Sequence, residues 1–182
     1  VNLEDIKAPE CFLIEKKLHE RMKIPVFHDD QHGTAIVSAA AIYNGLRIVE
    51  KRIEDIKIVV TGAGAASIAC VNLLVTMGLQ KNNVRMIDRN GVIYKGREAG
   101  MNPWKEDYAS ETSDRTLDDA IIDADLFLGL SGPGILKASM IKKMAPNPLV
   151  LAMSNPTPEI MPELAKKTRP DAIIATGRSD LP

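Results

Sequence analysis

Apolar positions follow a helical period near the start of the chain, then settle into strand-length runs separated by helical ones. Cys11, Ile14 and Leu18 recur at helical spacing behind Pro9, which predicts a helix from Glu10 to Arg21. Ile24-Pro25-Val26-Phe27 reads as a short strand, Asp29 to Thr34 as a polar turn, and Ala35 to Val49 as a long, Ala-rich, closely packed helix. Strands are then expected at 56–61, 84–87, 126–130, 149–153 and 172–175. Between them the pattern predicts helices at 64–77, 138–144 and 158–167, and a short one from Thr116, which sits near its N-cap. Gly91 to Ser113 is polar and turn-rich and reads as an irregular connection. Strands alternating with helices imply an α/β fold: a Rossmann-type, doubly wound parallel sheet behind an amino-terminal helical segment. Right-handed crossovers favour the strand order 3-2-1-4-5, counted along the chain from 56–61.

The stretch Val59-Val60-Thr61-Gly62-Ala63-Gly64-Ala65-Ala66-Ser67 sharpens that picture. A β-branched run feeds a Gly-x-Gly turn, and the turn feeds a small-residue helix, as where a Rossmann unit holds a dinucleotide pyrophosphate. Gly64 allows the backbone to approach phosphates, and the helix N-terminus offers unpaired N–H groups and partial positive charge. Ser67 stands where the pattern has its third glycine and is small enough for close helix–strand packing. Asp88 closes the next strand 26 positions after Gly62, near the ~20 of the acid that bonds ribose hydroxyls. It also opens Asp88-Arg89-Asn90-Gly91, which is good turn chemistry; both roles can hold. Asp88 would repel a 2′-phosphate and Arg89 could accept one, so the choice between NAD and NADP stays open, with a lean to NAD.

Composition narrows the class. A net charge of −1 gives no reason to expect nucleic acid or an anionic membrane, and 4% aromatic content argues against base-stacking platforms. No signal peptide or transmembrane run appears, so the cytoplasm is the default. Cys11 and Cys70 lie in apolar patterns and read as buried free thiols. The chain opens on Val1 without an initiator Met, which suggests a piece of a longer protein.

Two acidic pairs stand apart from the sheet, Glu4-Asp5 and Asp29-Asp30. Converging carboxylates would suit Mg²⁺ or Mn²⁺; solvated turns are the plainer reading. His28 and His32 flank the second pair as metal ligands or as hydrogen-bonded structural residues. Ser154-Asn155-Pro156-Thr157 follows the fourth strand, where α/β proteins bind ligands. The Asn155 amide could recognise a carboxamide or carboxylate, or open an Asx turn. Ser131-Gly132-Pro133-Gly134, after the third strand, could approach a cofactor or be a tight turn.

Together these segments resemble a malic enzyme of the shorter, bacterial type. The resemblance rests on Asn2-Leu3-Glu4-Asp5-Ile6, Phe27-His28-Asp29-Asp30-Gln31-His32-Gly33-Thr34, Gly62-Ala63-Gly64, Ser154-Asn155-Pro156 and Gly177-Arg178-Ser179-Asp180, in that order. It implies oxidative decarboxylation of L-malate to pyruvate and CO₂, with NAD (or NADP) and Mg²⁺ or Mn²⁺. By similarity Glu4, Asp5 and Asp30 would be metal ligands, with Asp29 beside them in the active site. Gly62, Ala63, Gly64, Ala65, Ser67 and Asp88 would hold the dinucleotide, with Arg89 and Ser131 alongside, and Asn155 would contact nicotinamide or substrate. Residues 1–34 would then be a remnant of the substrate and metal region and 35–182 the dinucleotide domain of a homo-oligomer, a dimer. The family's general acid Tyr and general base Lys would precede Val1, and a second Asn would follow Pro182, so this stretch alone should not turn over malate. A malolactic relative yielding lactate, or a non-catalytic dinucleotide module, would share many of these features.

Overall fold

Every residue of the three central strands is buried, which is why they read as continuous apolar runs rather than alternating ones. The computed structural model describes residues 1–178 and 180; Ser179, within the Gly177–Asp180 motif, lies outside the described residues. Strands β1 (Asn2–Leu3) and β2 (Phe27–His28) pair in parallel, connected through α1 (Glu10–Arg21). A π-helical turn, Asp29–Gly33, runs directly into α2 (Thr34–Ile48).

The main body follows as β3 (Ile58–Thr61), α3 (Ala65–Thr76), β4 (Val84–Asp88), β5 (Gly91–Val92), α4 (Pro103–Glu106) and α5 (Leu117–Ala120). It continues with β6 (Leu126–Gly129), α6 (Ala138–Ile141), β7 (Leu149–Ala152), α7 (Pro162–Thr168) and β8 (Ile173–Thr176). Six strands form one sheet in the order β5-β4-β3-β6-β7-β8, parallel except where β5 returns antiparallel to β4.

The doubly wound α/β class is therefore observed, but the expected strand order needs correction. Leu126–Gly129, the third long strand of the sequence, pairs with β3 and does not lie outside β4. The Asp88–Gly91 turn folds two residues back against β4, pairing Ile87 with Val92 and Asp88 with Gly91. That hairpin occupies the edge where a third parallel strand would sit, so the next strand crosses to the free side of β3. Counting β5 as the third strand restores the order 3-2-1-4-5-6 of a Rossmann-type sheet.

Alternate strand residues feed two cores. Ile58, Val60, Met86, Leu128 and Leu151 share one with Ala39 and Ile42 of α2 and Val71 and Leu74 of α3. Val59, Phe127 and Val150 share the other with Ala120, Ile141 and Ala165 of the opposite helices. Burying both faces is what a parallel sheet with crossover helices requires. Thr116 does cap α5: its Oγ1 accepts from the Asp119 N–H, and the Asp119 carboxylate accepts from the Thr116 N–H. The helix expected from Pro158 begins at Pro162 instead, leaving residues 158–160 as buried loop. Cys11 and Cys70 are free and buried, and burial pushes both thiols up, Cys70 to about 11. No helix among the described residues is long and apolar enough to cross a membrane.

Candidate functional site

The chain leaves β3 through Gly62, whose φ of 96° suits glycine and strains other residues. A Cβ there would also run into the Leu130 carbonyl and lie 3.1 Å from Ser67 Oγ. The turn is thus pressed against the β6 loop on one side and the small Ser67 on the other. Around Gly64 the opposite holds: a Cβ would meet nothing within 4 Å among the described residues. Among the described residues no side chain caps α3, so its first N–H groups are open to a ligand. A turn that glycine enters freely, an open backbone at Gly64 and an uncapped helix N-terminus are the features a pyrophosphate site uses; Ser67, buried beneath the turn, packs against Gly62.

On one side of this turn a cleft of about 980 Å³ runs over the end of the sheet, lined among others by Gly62, Ala63, Asp88, Arg89, Lys105 and Ser131. Asp88 stands where a ribose-binding acid belongs, but its carboxylate is already filled. Oδ1 accepts from Arg97 Nη1 at 2.9 Å and the Asn90 N–H at 2.8 Å. Oδ2 accepts from Arg97 Nη2 and Lys105 Nζ, both at 2.6 Å. Burial works to raise the Asp88 carboxyl, yet the hydrogen bonds from Arg97, Lys105 and Asn90 outweigh it and hold the group at about 2. The ground for the lean to NAD falls away: a carboxylate neutralised by two cations neither repels a 2′-phosphate nor has free lone pairs for ribose hydroxyls. With Asp88 negative and Arg97 and Lys105 positive, the cluster carries a net +1, and Arg89, Arg115 and Lys137 line the same cleft.

On the other side of the turn a second cleft, about 460 Å³, brings together Asp30, Thr34, Ala66, Ser131, Ser154 and Asn155. Ser131 lines both clefts. The two halves of the site therefore meet at the ends of β3, β6 and β7, where open α/β sheets bind ligands. Arg178 Nη1 donates to the Pro156 carbonyl at 2.7 Å, fastening the chain after β8 to the Asn155 loop.

The acidic residues are only partly gathered. The Asp5 N–H donates to Asp30 Oδ2 at 2.7 Å, so the two residues touch. Glu4 Oε1 instead accepts from Asn2 Nδ2 at 2.7 Å. Among the described residues no three His, Cys, Asp or Glu side chains form a ready metal cage. The carboxylate oxygens suit a hard divalent cation, but Glu4 would have to turn from Asn2 to join. Gly33 leaves room for the Asp29 carboxylate, which a Cβ there would strike. His32 Nε2 lies 2.6 Å from Glu15 Oε1 and Gln31 Nε2 donates to Glu15 Oε2 at 3.1 Å, docking α1 onto the turn. His28 is fully buried, with Nδ1 3.9 Å from Asp30 Oδ2.

Sequence reasoning did not find Arg97, Lys105 or Glu159. The first two lie in the stretch read as irregular, 9 and 17 positions beyond Asp88. A signal existed for Glu159, an acid between Pro158 and Ile160 in an apolar setting.

A doubly wound sheet whose first strand ends in a glycine turn before an uncapped helix defines a Rossmann-type dinucleotide-binding domain. The family model described as malic enzyme, NAD binding domain, matches residues 31–180, and the chain belongs to that family. It is 65% identical over 183 residues to a protein of Salmonella typhimurium named NADP-dependent malic enzyme. Over 182 residues it is 59% identical to one of Rhizobium meliloti named NAD-dependent malic enzyme. All of this chain is covered in both, but only 24% of each relative, so the chain spans about a quarter of their length. The crystal structure of an NAD-dependent malic enzyme from Thermotoga maritima superposes with a TM-score of 0.91 at 45% identity, covering 98% of this chain and 48% of that one.

Proposed function

We propose that this chain is the cofactor-binding part of a metal-dependent enzyme that oxidises and decarboxylates L-malate to pyruvate and CO₂ with NADP. The observation that carries the reading is the junction of the two clefts at Ser131. Ser131 is shared by the cleft that Gly62 and Ala63 line and the cleft that Asn155 and Asp30 line, which supports reading the two as parts of one site. NADP is preferred over NAD because Asp88 is saturated by Arg97 and Lys105, leaving cations to meet a 2′-phosphate. The relatives' names divide between the two cofactors: the Salmonella protein is named NADP-dependent and the Rhizobium protein NAD-dependent.

In this reading the Gly62–Gly64 turn and the α3 N-terminus seat the pyrophosphate, which fixes the dinucleotide along the groove. Asn155 presents its amide to the carboxamide or to a malate carboxylate and sets the angle between the two reactants. Glu4, Asp5 and Asp30 would hold a divalent cation once Glu4 leaves Asn2, and Asp29 lies beside them. When bound, the dinucleotide supplies the hydride acceptor, and the cation supplies charge stabilisation as CO₂ departs. Residues 1–34 belong on this reading to the substrate and metal region and 35–182 to the cofactor domain. On this reading the working protein is a homodimer, as the family resemblance implies, and its compartment is the cytoplasm.

The test is product analysis in the intact protein carrying this chain. Supplied with L-malate, NADP and Mn²⁺, it should form pyruvate, CO₂ and NADPH in equal amounts, and Asp30→Asn should abolish Mn²⁺ binding by calorimetry. Lactate as product would make it a malolactic enzyme. Dinucleotide binding without turnover, with Mn²⁺ affinity unchanged in Asp30→Asn, would leave a binding module.

A further inference from the structure

Glu159 is a carboxylate with no exposed surface. Its side-chain partners among the described residues are two backbone N–H groups: that of Ser131 reaches Oε1 at 3.1 Å and that of Ser154 reaches Oε2 at 3.0 Å. A buried carboxylate is costly unless its oxygens are satisfied, and here satisfaction requires both bonds at once. The two donors belong to different loops. Ser131 follows β6 and lies at the junction of the clefts, and Ser154 follows β7 and immediately precedes Asn155. The fold makes room for the carboxylate at Gly129, where a Cβ would lie 2.7 and 2.8 Å from its oxygens. The same short segment anchors the far side of the Ser131 loop, since Gly134 N–H donates to Pro158 O and Leu136 N–H to Glu159 O.

We propose that Glu159 is a positioning residue that clamps the β6 and β7 loops together, fixing the distance between the dinucleotide and Asn155. It acts through Ser131 and Asn155 and touches neither reactant. The proposal rests on the reading of the protein as a malate-oxidising dinucleotide enzyme. A displacement of ~1 Å between reacting groups can cost ~10²-fold in rate, so a loosened clamp should appear in the hydride step.

The experiment is Glu159→Gln in the intact protein. The amide keeps the size of the side chain, but its NH₂ turns a donor toward one of the two N–H groups and releases that loop. Expected are a kcat lower by ~10–100-fold, a larger isotope effect with malate deuterated at C2, faster amide exchange at Ser131 or Ser154, and a thermal midpoint within a few degrees of the parent. Gly129→Ala, which pushes the carboxylate out from the other side, should reproduce this kinetic signature. The clamp is overturned if Glu159→Gln leaves kcat, the isotope effect and both exchange rates unchanged, or if folded molecules keep the parent kcat while only stability falls. If the unmodified protein reduces no dinucleotide with malate, the functional reading fails on its own. The clamp is then judged by amide exchange and dinucleotide affinity: loosened amides with weaker binding support it, and no change in either overturns it.

Discussion

Lys105→Gln should move cofactor preference away from NADP while leaving the fold nearly intact. Lys105 Nζ donates to Asp88 Oδ2 at 2.6 Å and to the Gly100 carbonyl at 2.8 Å, and its side chain retains 16% exposure toward the cleft. The substitution takes one positive charge from the cleft proposed to receive the 2′-phosphate and turns the Asp88–Arg97–Lys105 cluster from +1 to neutral. At about 5 Å and an effective dielectric of ~20, one unit charge is worth about 3 kcal/mol. Water and salt in an open cleft leave about half of that, or ~10-fold in affinity. The stability cost is smaller, about 1 kcal/mol, because Arg97 and the Asn90 N–H still satisfy Asp88. The assay is kcat/KM for NADP and for NAD in the intact protein, with urea unfolding as the control. NADP should lose ~10-fold and NAD less than ~2-fold. An unchanged NADP-to-NAD ratio would refute the charge argument, and an equal loss for both cofactors would mean Lys105 serves only to shape the turn.

Three further outcomes follow from the same geometry. Gly62→Ala places a Cβ against the Leu130 carbonyl at a φ of 96°; it should cost about 2–4 kcal/mol by urea unfolding and abolish measurable dinucleotide binding by calorimetry. Asp88 is held at about 2 against an ordinary 3.8, worth about 2 kcal/mol at ~1.36 kcal/mol per unit. Because its folded value is lowered, that stability is complete above pH ~4 and fades as the pH falls toward 2. The stability gap between the protein and Asp88→Asn should shrink over that window, and a pH-independent gap would contradict it. Arg169 donates to the carbonyls of Ile141, Met144 and Ala145, tying the end of α6 to the approach to β8. Arg169→Met leaves these carbonyls short of donors and should cost about 2–3 kcal/mol without changing the NADP-to-NAD ratio.

Most of the architecture was legible because its signals are local. The 10–21 helix, the buried strands and the Thr116 cap each depend on residues within a few positions of one another, and each appears where the pattern puts it. The strand order was not legible, since it hinges on β5, two residues long and hidden inside turn chemistry. The candidate site divides the same way. Gly62 to Ser67 could be read from the turn they form. The state of Asp88 could not, because it is set by side chains 9 and 17 positions away whose hydrogen bonds exist only after the hairpin and α4 fold. Glu159 falls within the helix the sequence pattern predicts at 158–167; burial of its carboxylate beneath two loops is a long-range fact.

The central proposal is that the clefts sharing Ser131, one lined by Asp88 and Gly62 and the other by Asn155, form a dinucleotide site that favours the 2′-phosphate. Calorimetric titration of the intact protein with NADP and NAD in separate runs tests this most directly. One NADP per chain, bound at least ~10-fold more tightly than NAD, with the difference lost in Lys105→Gln, is the predicted result. Equal affinities, or no binding of either, would contradict it.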